Sequence, residues 1–460
     1  MKSYSFQLAE WAQAFTLEDA TPRVLADAKL HLLDVIGVMI ASYQHQTVQA
    51  AKRAIQDSDA GGRGAYPLLD SSETSLAGAA FVNGVASAVL EFDDTHIQTN
   101  IHPTGVIASA ALPIAQANGM TGRQLLEAVI PALEILCRLG LVSPVRMHEV
   151  GLHPTSVYGV FAAAYAAAKL KGLDVKTMAD AVGTSASLSA GSIASFEDGT
   201  STKTLHVGFA ASAAIRAVAL AAQGISGPGR VFEGKYGWYA SYVQSKPDFR
   251  FSALTDDLGE KWHSLDIATK IYPVAYTLIP FIEAALELRK QCTIDPDQIR
   301  EIRCAIMSRS FHTVCEPVEE KRRPLTSWHG RISIQHTVAE ALVLGRFDKN
   351  AFAEESLRNP VINALADKVV HVADPIAAAD TTRSRAVITI VFNDGQEVSH
   401  TIEDMLGTAK NPATEEVYIR KFRSNVDGVI SAEAADALIE DVLHLENAAN
   451  VDLIFSRLRG

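Results

Sequence analysis

Residues 91–117 read EFDDTHIQTNIHPTGVIASAALPIAQA, and this stretch joins two different kinds of sequence. Its first part holds three carboxylates and two histidines, and its second part is apolar and rich in alanine. His102-Pro103 stands near the boundary, and proline is favoured at the first position of a helix. The stretch therefore predicts a polar loop that leads directly into a buried helix.

Carboxylates gather in a loop for three common reasons: a solvated surface, a cation site or proton chemistry. The start of a helix presents backbone N–H groups and the positive end of the helix dipole, which suits a substrate carboxylate. A nearby aspartate can also hold one tautomer of a histidine and raise its basicity. The third reason makes His102 a candidate base, and the other two stay open.

Two further segments repeat this design. GLHPTSVYGVFAAA at 151–164 brings His153 to the start of an alanine-rich helix, and FEDGTSTKTLHVGFAA at 196–211 brings Lys203 and His206 to another. A histidine at a helix start is often only a cap or a core hydrogen-bonder, and a lysine is usually a surface charge. Three polar segments that each lead into an alanine-rich helix favour a single shared substrate site. The histidine spacings match no recognised zinc pattern, so no metal is expected.

The hydrophobic pattern divides the chain into two parts. Up to about residue 245, apolar residues recur at three- and four-residue spacing, as in VLADAKLHLLDVIGVMIA at 24–41. Their alanine and glycine content predicts closely approaching helices. After 245–263, strand patterns appear at 299–307, 367–374 and 384–404, the last with Asn-Asp-Gly as a hairpin turn. We predict a mainly α protein: an all-helical domain of residues 1–265 and 411–460, with an inserted α+β domain of residues 266–410.

The composition of the chain limits which classes of molecule are expected to bind it. The chain has 460 residues and a formal net charge of −12, which argues against nucleic acid as the main partner because phosphate binding needs a basic surface. The first fifteen residues lack the pattern of a signal or transit peptide, so a cytoplasmic location is expected. The most apolar run, 206–224, is interrupted by Arg216 and reads as a buried helix, so no membrane partner is expected.

The chain resembles the MmgE/PrpD family, in order and over most of its length. This family includes 2-methylcitrate dehydratase, cis-aconitate decarboxylase and iminodisuccinate epimerase. The resemblance implies a large helical domain with a smaller α+β domain, homodimers, and a cofactor-independent site between the domains for a small di- or tricarboxylate. It is carried by the three segments quoted above together with ISGPGRVFEGKYGW at 225–238 and EKRRPLTSWHGRISIQHTVAEALVLGRF at 320–347.

The resemblance also implies roles for individual residues. His102 is expected to be the base, oriented by Asp93 or Asp94. Lys203 is expected to hold carboxylate oxygens, and His153 to be the second donor or acid. The complete set of expected positions is His102, Asp93, Asp94, Lys203 and His153 as catalytic residues and Glu91, Thr95, His206 and Tyr272 as substrate-binding residues.

One position departs from the family pattern. Members commonly carry a histidine a few residues after a tyrosine- or phenylalanine-proline pair, whereas KIYPVAYTLIPFIEAA at 270–285 has Ile279 there. Tyr272 or Tyr276 could donate a hydrogen bond in its place, but neither carries protons near neutral pH without a large pKa shift. The departure puts the decarboxylase reaction and the best-known dehydratase reaction in doubt.

We therefore predict a cofactor-free lyase that removes a proton next to a carboxylate, with dehydration of a small hydroxy-polycarboxylate as the reaction. Epimerisation or decarboxylation of a similar acid is the alternative within the family. Outside it, the alternatives are a non-catalytic carboxylate-binding relative, which Ile279 motivates, and a metal-dependent hydrolase.

Overall fold

The structure is a computed structural model that describes residues 2–59, 61–244, 248–379 and 384–459. Helices dominate it, so the mainly α class is confirmed. The change of sequence character expected from residue 245 begins at Ser245, Lys246 and Pro247, which lie outside the described residues. The helices of the first part are Tyr4–Ala14, Pro22–Ser42, Gln46–Ser58, Leu76–Ala88, Pro103–Ala117, Gly122–Leu141, Arg146–Glu149, Pro154–Leu170, Val175–Ser185, Ser195–Asp198, His206–Ala222 and Trp238–Tyr242.

Small residues let the helices of this part approach closely. A Cβ added at Gly84, on helix Leu76–Ala88, would lie 2.5 Å from the Cα of Gly208, on helix His206–Ala222. Real side chains do not fit at that distance, so the crossing depends on both glycines. Helix Gly122–Leu141 begins after Thr121, whose side chain accepts a hydrogen bond from the N–H of Gln124 at 3.2 Å.

A four-stranded sheet lies in the later part of the chain. Strand Ile299–Ile306 pairs in parallel with Val369–Ala373 and antiparallel with Ala386–Phe392, which pairs antiparallel with Glu397–Ile402. The predicted hairpin is confirmed, with Gly395 in the left-handed region that its turn requires. The helices that surround this sheet are Ile279–Gln291, Val318–Arg322, Ser327–Gly330, Ile334–Leu344, Glu354–Leu357, Pro360–Ala366 and Pro375–Ala379.

Buried apolar side chains form two separate clusters. One contains the helices before residue 268 and apolar residues from Phe422 onward, and the other contains residues 274–405. The last helices, Glu415–Val426 and Ala432–Leu443, pack against Pro22–Ser42 in the first cluster, and Val451–Phe455 follows them. The inserted second domain, with its boundaries at 266 and 410, stays a prediction.

One stretch among the described helices, Ser201–Ala222, is long and apolar enough to cross a membrane by length and composition. In its most apolar window, 61% of the residues are buried inside the protein. The stretch packs against Leu76–Ala88 and Pro154–Leu170, as a core helix does. The cytoplasmic location stays a prediction.

Candidate active site

The loop that precedes His102 is held by a short two-stranded sheet. Thr95 and His96 pair antiparallel with Ala268 and Ile267, which join the first part of the chain to the second. Glu91 begins the loop with φ at +52°, in the left-handed region that few non-glycine residues occupy. Such conformations concentrate at functional sites, where the surrounding structure supports them.

Four contacts hold His102 in place, one through its backbone and three through its ring. Its backbone N–H donates to the hydroxyl of Thr155 at 2.9 Å, so the two His-Pro-Thr motifs are joined directly. Its Nδ1 lies 2.8 Å from the backbone carbonyl oxygen of Asp94 and 3.0 Å from the hydroxyl of Thr95. Its Nδ1 is also 4.0 Å from a carboxylate oxygen of Asp93. Because a carbonyl only accepts, Nδ1 carries the proton and Nε2 is left as the basic atom.

The charge state of His102 suits a base. Burial lowers the pKa of this imidazole, and the ammonium groups of Lys270 and Lys203 lower it further, against the opposing carboxylates of Asp93 and Glu91. The ring is therefore neutral at pH 7 and has a lone pair available.

Two buried lysines surround Glu91. Lys203 forms an ion pair with one carboxylate oxygen of Glu91, and the Nζ of Lys270 lies 3.4 Å from the other. Lys270 is also 3.5 Å from Asp93 and donates to the backbone carbonyl of Glu91 at 3.2 Å. Burial alone would raise the pKa of Glu91, but these ammonium groups hold it far below its usual range. Glu91 is thus an anion that fixes two cations in place.

His153 and His206 form a second pair of imidazoles. Their Nδ1 atoms are 3.1 Å apart, and the ring of His153 is centred 5.9 Å from that of His102. Burial, and then the charge of Lys203, lowers the pKa of His206 to about 4 and that of His153 well below its usual value. Among the described residues, the buried Nε2 of His153 has no hydrogen-bond partner, so it is available to a substrate in the cavity that His153 lines.

Asp94 turns its carboxylate away from this group. One oxygen lies 3.1 Å from the Nδ1 of His31, and Thr104 donates to both oxygens through its backbone N–H and its hydroxyl. Burial would raise the pKa of Asp94, but His31 and Thr104 lower it. Asp94 therefore orients His102 through its backbone, while its side chain holds the loop to helix Pro22–Ser42.

A cavity of about 510 Å³ lies against these residues and brings both parts of the chain together. This volume suits a small-molecule ligand. The lining from the first part includes Glu91, Thr95, His102, His148, His153 and Lys203, with Lys270 at the junction; the lining from the second part includes Tyr276, Arg309, His312 and Trp328.

Some expected site residues lie outside the lining. Tyr272 packs edge-on against Phe347, with ring centroids 6.1 Å apart, and Tyr276 faces the cavity instead. Asp93, Asp94 and His206 lie behind the lining. Ile279 is fully buried in the second core cluster, so its apolar side chain takes no place in the cavity.

The sequence analysis missed several lining residues. Lys270 stands two positions before the Tyr-Pro pair. Its position next to the predicted domain junction could have indicated a site residue. Arg309 and His312 follow a strand of the second part, and His148 lies on a short turn before His153. No local pattern marks these three, because only long-range packing brings them to the cavity.

A potential cation-binding group lies beside the cavity. Within the described ranges, Glu91, Asp93 and His102 have potential ligand atoms that all lie within 4.8 Å of one another. Both oxygens of Glu91 already face lysine ammonium groups. A metal ion there would have to displace the ammonium groups of Lys203 and Lys270 from Glu91, so these residues form an ion-pair network more readily than a metal centre.

Comparison with known families identifies this arrangement. The MmgE/PrpD N-terminal domain matches residues 6–251, and the MmgE/PrpD C-terminal domain matches residues 272–446. The chain belongs to the MmgE/PrpD family. Residues of both matched regions line the cavity.

Individual relatives of this MmgE/PrpD protein are lyases. The chain is 27% identical to a cis-aconitate decarboxylase-like protein of Aspergillus oryzae, over 99% of this chain and 97% of that protein. It is 27% identical to the human cis-aconitate decarboxylase, over 100% of this chain and 95% of the relative. A 2-methylcitrate dehydratase of Salmonella typhimurium is 27% identical over 76% of this chain and 74% of its own length.

Proposed function

We propose that this protein is a cofactor-independent lyase that removes a proton next to a carboxylate of a small hydroxy-polycarboxylate and releases water. The observation that carries the proposal is the contact between Nδ1 of His102 and the carbonyl oxygen of Asp94. It makes Nε2 the proton acceptor of a neutral imidazole at the cavity wall. A neutral imidazole is a base, which the first step of dehydration requires.

Buried donors support the second half of the reaction. Removing a proton next to a carboxylate develops negative charge on the carboxylate oxygens, and fixed cations stabilise that charge best in a dry site. Lys203 and Thr95 line the cavity beside His102 and serve this role, while Glu91 holds Lys203 in place and is itself bound by Lys270. The proton that His102 takes and the hydroxide that leaves the neighbouring carbon combine to one water molecule. His153 donates a hydrogen bond, and no proton, to the departing oxygen through its Nε2–H.

Decarboxylation is the second candidate. It is favoured by relatives named cis-aconitate decarboxylase, which align over nearly the whole chain. That reaction requires a proton donor at carbon, and the neutral ring of His102 carries its proton on Nδ1, at the carbonyl of Asp94, so its Nε2 has none to donate. The hypothesis of a non-catalytic carboxylate-binding protein was based on Ile279. It is weaker because Ile279 lies in the core and not at the cavity.

Proton NMR in deuterated buffer separates these reactions. The purified protein is incubated with citrate, 2-methylcitrate and cis-aconitate. We expect an alkene product from a hydroxy acid, or deuterium at the carbon next to its carboxylate. Loss of carbon dioxide from cis-aconitate would support the second candidate, and deuterium exchange with inversion and no loss of water would identify an epimerase. No reaction and no exchange with any acid of a wider di- and tricarboxylate panel would contradict the proposal.

We also propose a homodimer formed through helix His206–Ala222. Phe209 and Leu220 are 51% and 45% exposed on this helix, and Ile225 follows them at 50%. An apolar groove of about 700 Å³ runs between this helix and Gln46–Ser58. A contiguous exposed apolar surface of this kind is typical of a protein interface, and the family resemblance implies a second copy as its partner.

A further inference from the structure

The charges around the cavity differ between its two walls. On the wall that carries His102, the ammonium groups of Lys203 and Lys270 face the carboxylates of Glu91 and Asp93. Opposite charges at such short distances largely cancel for a group farther away. This wall offers hydrogen bonds to one carboxylate, but it provides little net attraction for a polyanion.

The opposite wall carries a cation that is not neutralised. Arg309 lies in the 3₁₀ turn Ser308–Ser310 and His312 in the following helical turn Phe311–Cys315, and both line the cavity. Within the described residues, the Arg309 guanidinium has neither a hydrogen bond nor an ion pair, and His312 has no hydrogen-bond partner. Glu149 also lines this cavity, but its carboxylate is paired with Arg146 at 2.6 Å.

The segment that carries Arg309 is anchored in the second core. Val314 and Cys315 are buried, and the side chain of Gln335 donates to the carbonyl of Cys315 at 2.9 Å. Strand Ile299–Ile306 precedes the segment and lies within the four-stranded sheet. The backbone that carries Arg309 is therefore fixed, while the Arg309 side chain is exposed to solvent and to the cavity.

His148 lies between the two walls. It lines the cavity, and burial, followed by the charges of His312, Lys203 and His102, lowers the pKa of its imidazole. Its ring is centred 5.9 Å from that of Phe196, which is centred 5.6 Å from the ring of Trp328 in the second part of the chain, so the two walls are close enough for one small molecule to contact both. A molecule with two separated carboxylates would place one at Lys203 and the other at the opposite wall.

We propose that Arg309, assisted by His312, binds the second carboxylate of the substrate and makes the site selective for polycarboxylates over monocarboxylates. A guanidinium binds a carboxylate through two parallel N–H donors, which fixes the orientation as well as the charge. This inference rests on the proposed function and assigns the determinant of its substrate class. It also gives the second part of the chain a direct role in substrate binding.

Binding of an unreactive acid tests the inference without turnover. Tricarballylate has three carboxylates but no hydroxyl group or double bond, and butyrate is a monocarboxylate of similar chain length. Calorimetric titration of the wild-type protein is expected to give tighter binding of tricarballylate. The Arg309→Ala variant should lose about 10- to 100-fold in affinity for tricarballylate, as expected for a charge-assisted hydrogen bond, and keep its affinity for butyrate. His312→Gln should give a smaller loss in the same direction.

Arg300→Ala is the matched control, since Arg300 is exposed on the strand before Arg309 and lies outside the cavity lining. It should change neither affinity. If Arg309→Ala retains tricarballylate affinity within about twofold, or weakens both acids equally, the inference is overturned while the proposed function stands. If the wild-type protein binds no polycarboxylate, both fail. Circular dichroism establishes that each variant is folded.

Discussion

The Nδ1 of His102 lies 2.8 Å from the backbone carbonyl oxygen of Asp94, eight residues earlier in the chain. This contact determines the tautomer of the imidazole, because only a protonated Nδ1 can satisfy a carbonyl. The carboxylate of Asp94 meanwhile faces His31 on another helix. One residue therefore orients the candidate base through its backbone and anchors the loop through its side chain.

Replacement of His102 tests its role as the base. His102→Asn preserves the size and one donor of the ring, so the protein should stay folded and retain much of its affinity for tricarballylate. Loss of the proton acceptor should reduce turnover by about 10²–10⁴-fold. The measurement is solvent deuterium exchange into the substrate. His400→Asn, on a strand outside the cavity, is the control, and exchange at the wild-type rate in His102→Asn would place the base elsewhere.

Lys203 should act on binding and rate together. Its charge stabilises the substrate carboxylate in the ground state and, more strongly, the greater negative charge of the transition state, so Lys203→Met should raise KM and lower kcat. Methionine keeps a long side chain in this buried position. The kinetic constants are compared with those of Lys176→Met, which removes an exposed lysine. A change in kcat alone would show that Lys203 contacts only the transition state.

The pH dependence of kcat/KM should reflect the lowered pKa of His102. The neutral ring is the active form, so activity should be complete at pH 7 and fall only as the pH drops below the ordinary histidine value of about 6.5. Asp93 opposes the shift by raising this pKa. The acidic limb of the Asp93→Asn profile should therefore move to a still lower pH, and a move to higher pH would contradict the assignment.

His31 should make stability depend on pH. Burial alone would lower the pKa of this imidazole, but the carboxylates of Asp27, Asp94 and Asp34 outweigh burial and raise it to about 9. A raised pKa in the folded state stabilises the protein fully below pH 6.5, and this stabilisation is lost as the pH rises through 9. Its size is on the order of 3 kcal/mol, at about 1.4 kcal/mol per pKa unit.

The test compares urea denaturation of the wild-type protein and the His31→Gln variant at several pH values. The difference in their free energies of unfolding should be largest below pH 6.5 and shrink towards pH 9.5. His444→Gln, at an exposed position, should show no such trend. A difference that does not change with pH would mean that His31 is neutral in the folded protein.

The dimer surface can be tested by adding a charge. Phe209→Asp places a carboxylate on the exposed face of helix His206–Ala222, where a second copy is proposed to pack. We expect a shift from dimer to monomer in light scattering coupled to size exclusion. Leu453→Asp, at a side chain 64% exposed in another region, should leave the mass unchanged. A monomeric wild-type protein, or a Phe209→Asp variant of unchanged mass, would rule out this interface.

Local pattern alone was enough for much of this molecule. Apolar spacing identified the helices and Asn-Asp-Gly marked the hairpin, because each depends on residues only a few positions apart. The same reasoning singled out His102, His153 and Lys203 at the starts of their helices. The structure brings these three residues to one cavity.

Tertiary structure decided which side chains complete the site. Lys270 reaches Glu91 across 179 positions, and Arg309 enters the cavity from the second part of the chain. The carboxylate of Asp94 faces His31 instead of the cavity. Tyr276 lines the cavity, whereas Tyr272 does not. The physical reason is that a side chain's direction and partners depend on packing between segments far apart in sequence, and composition and spacing do not encode that packing locally.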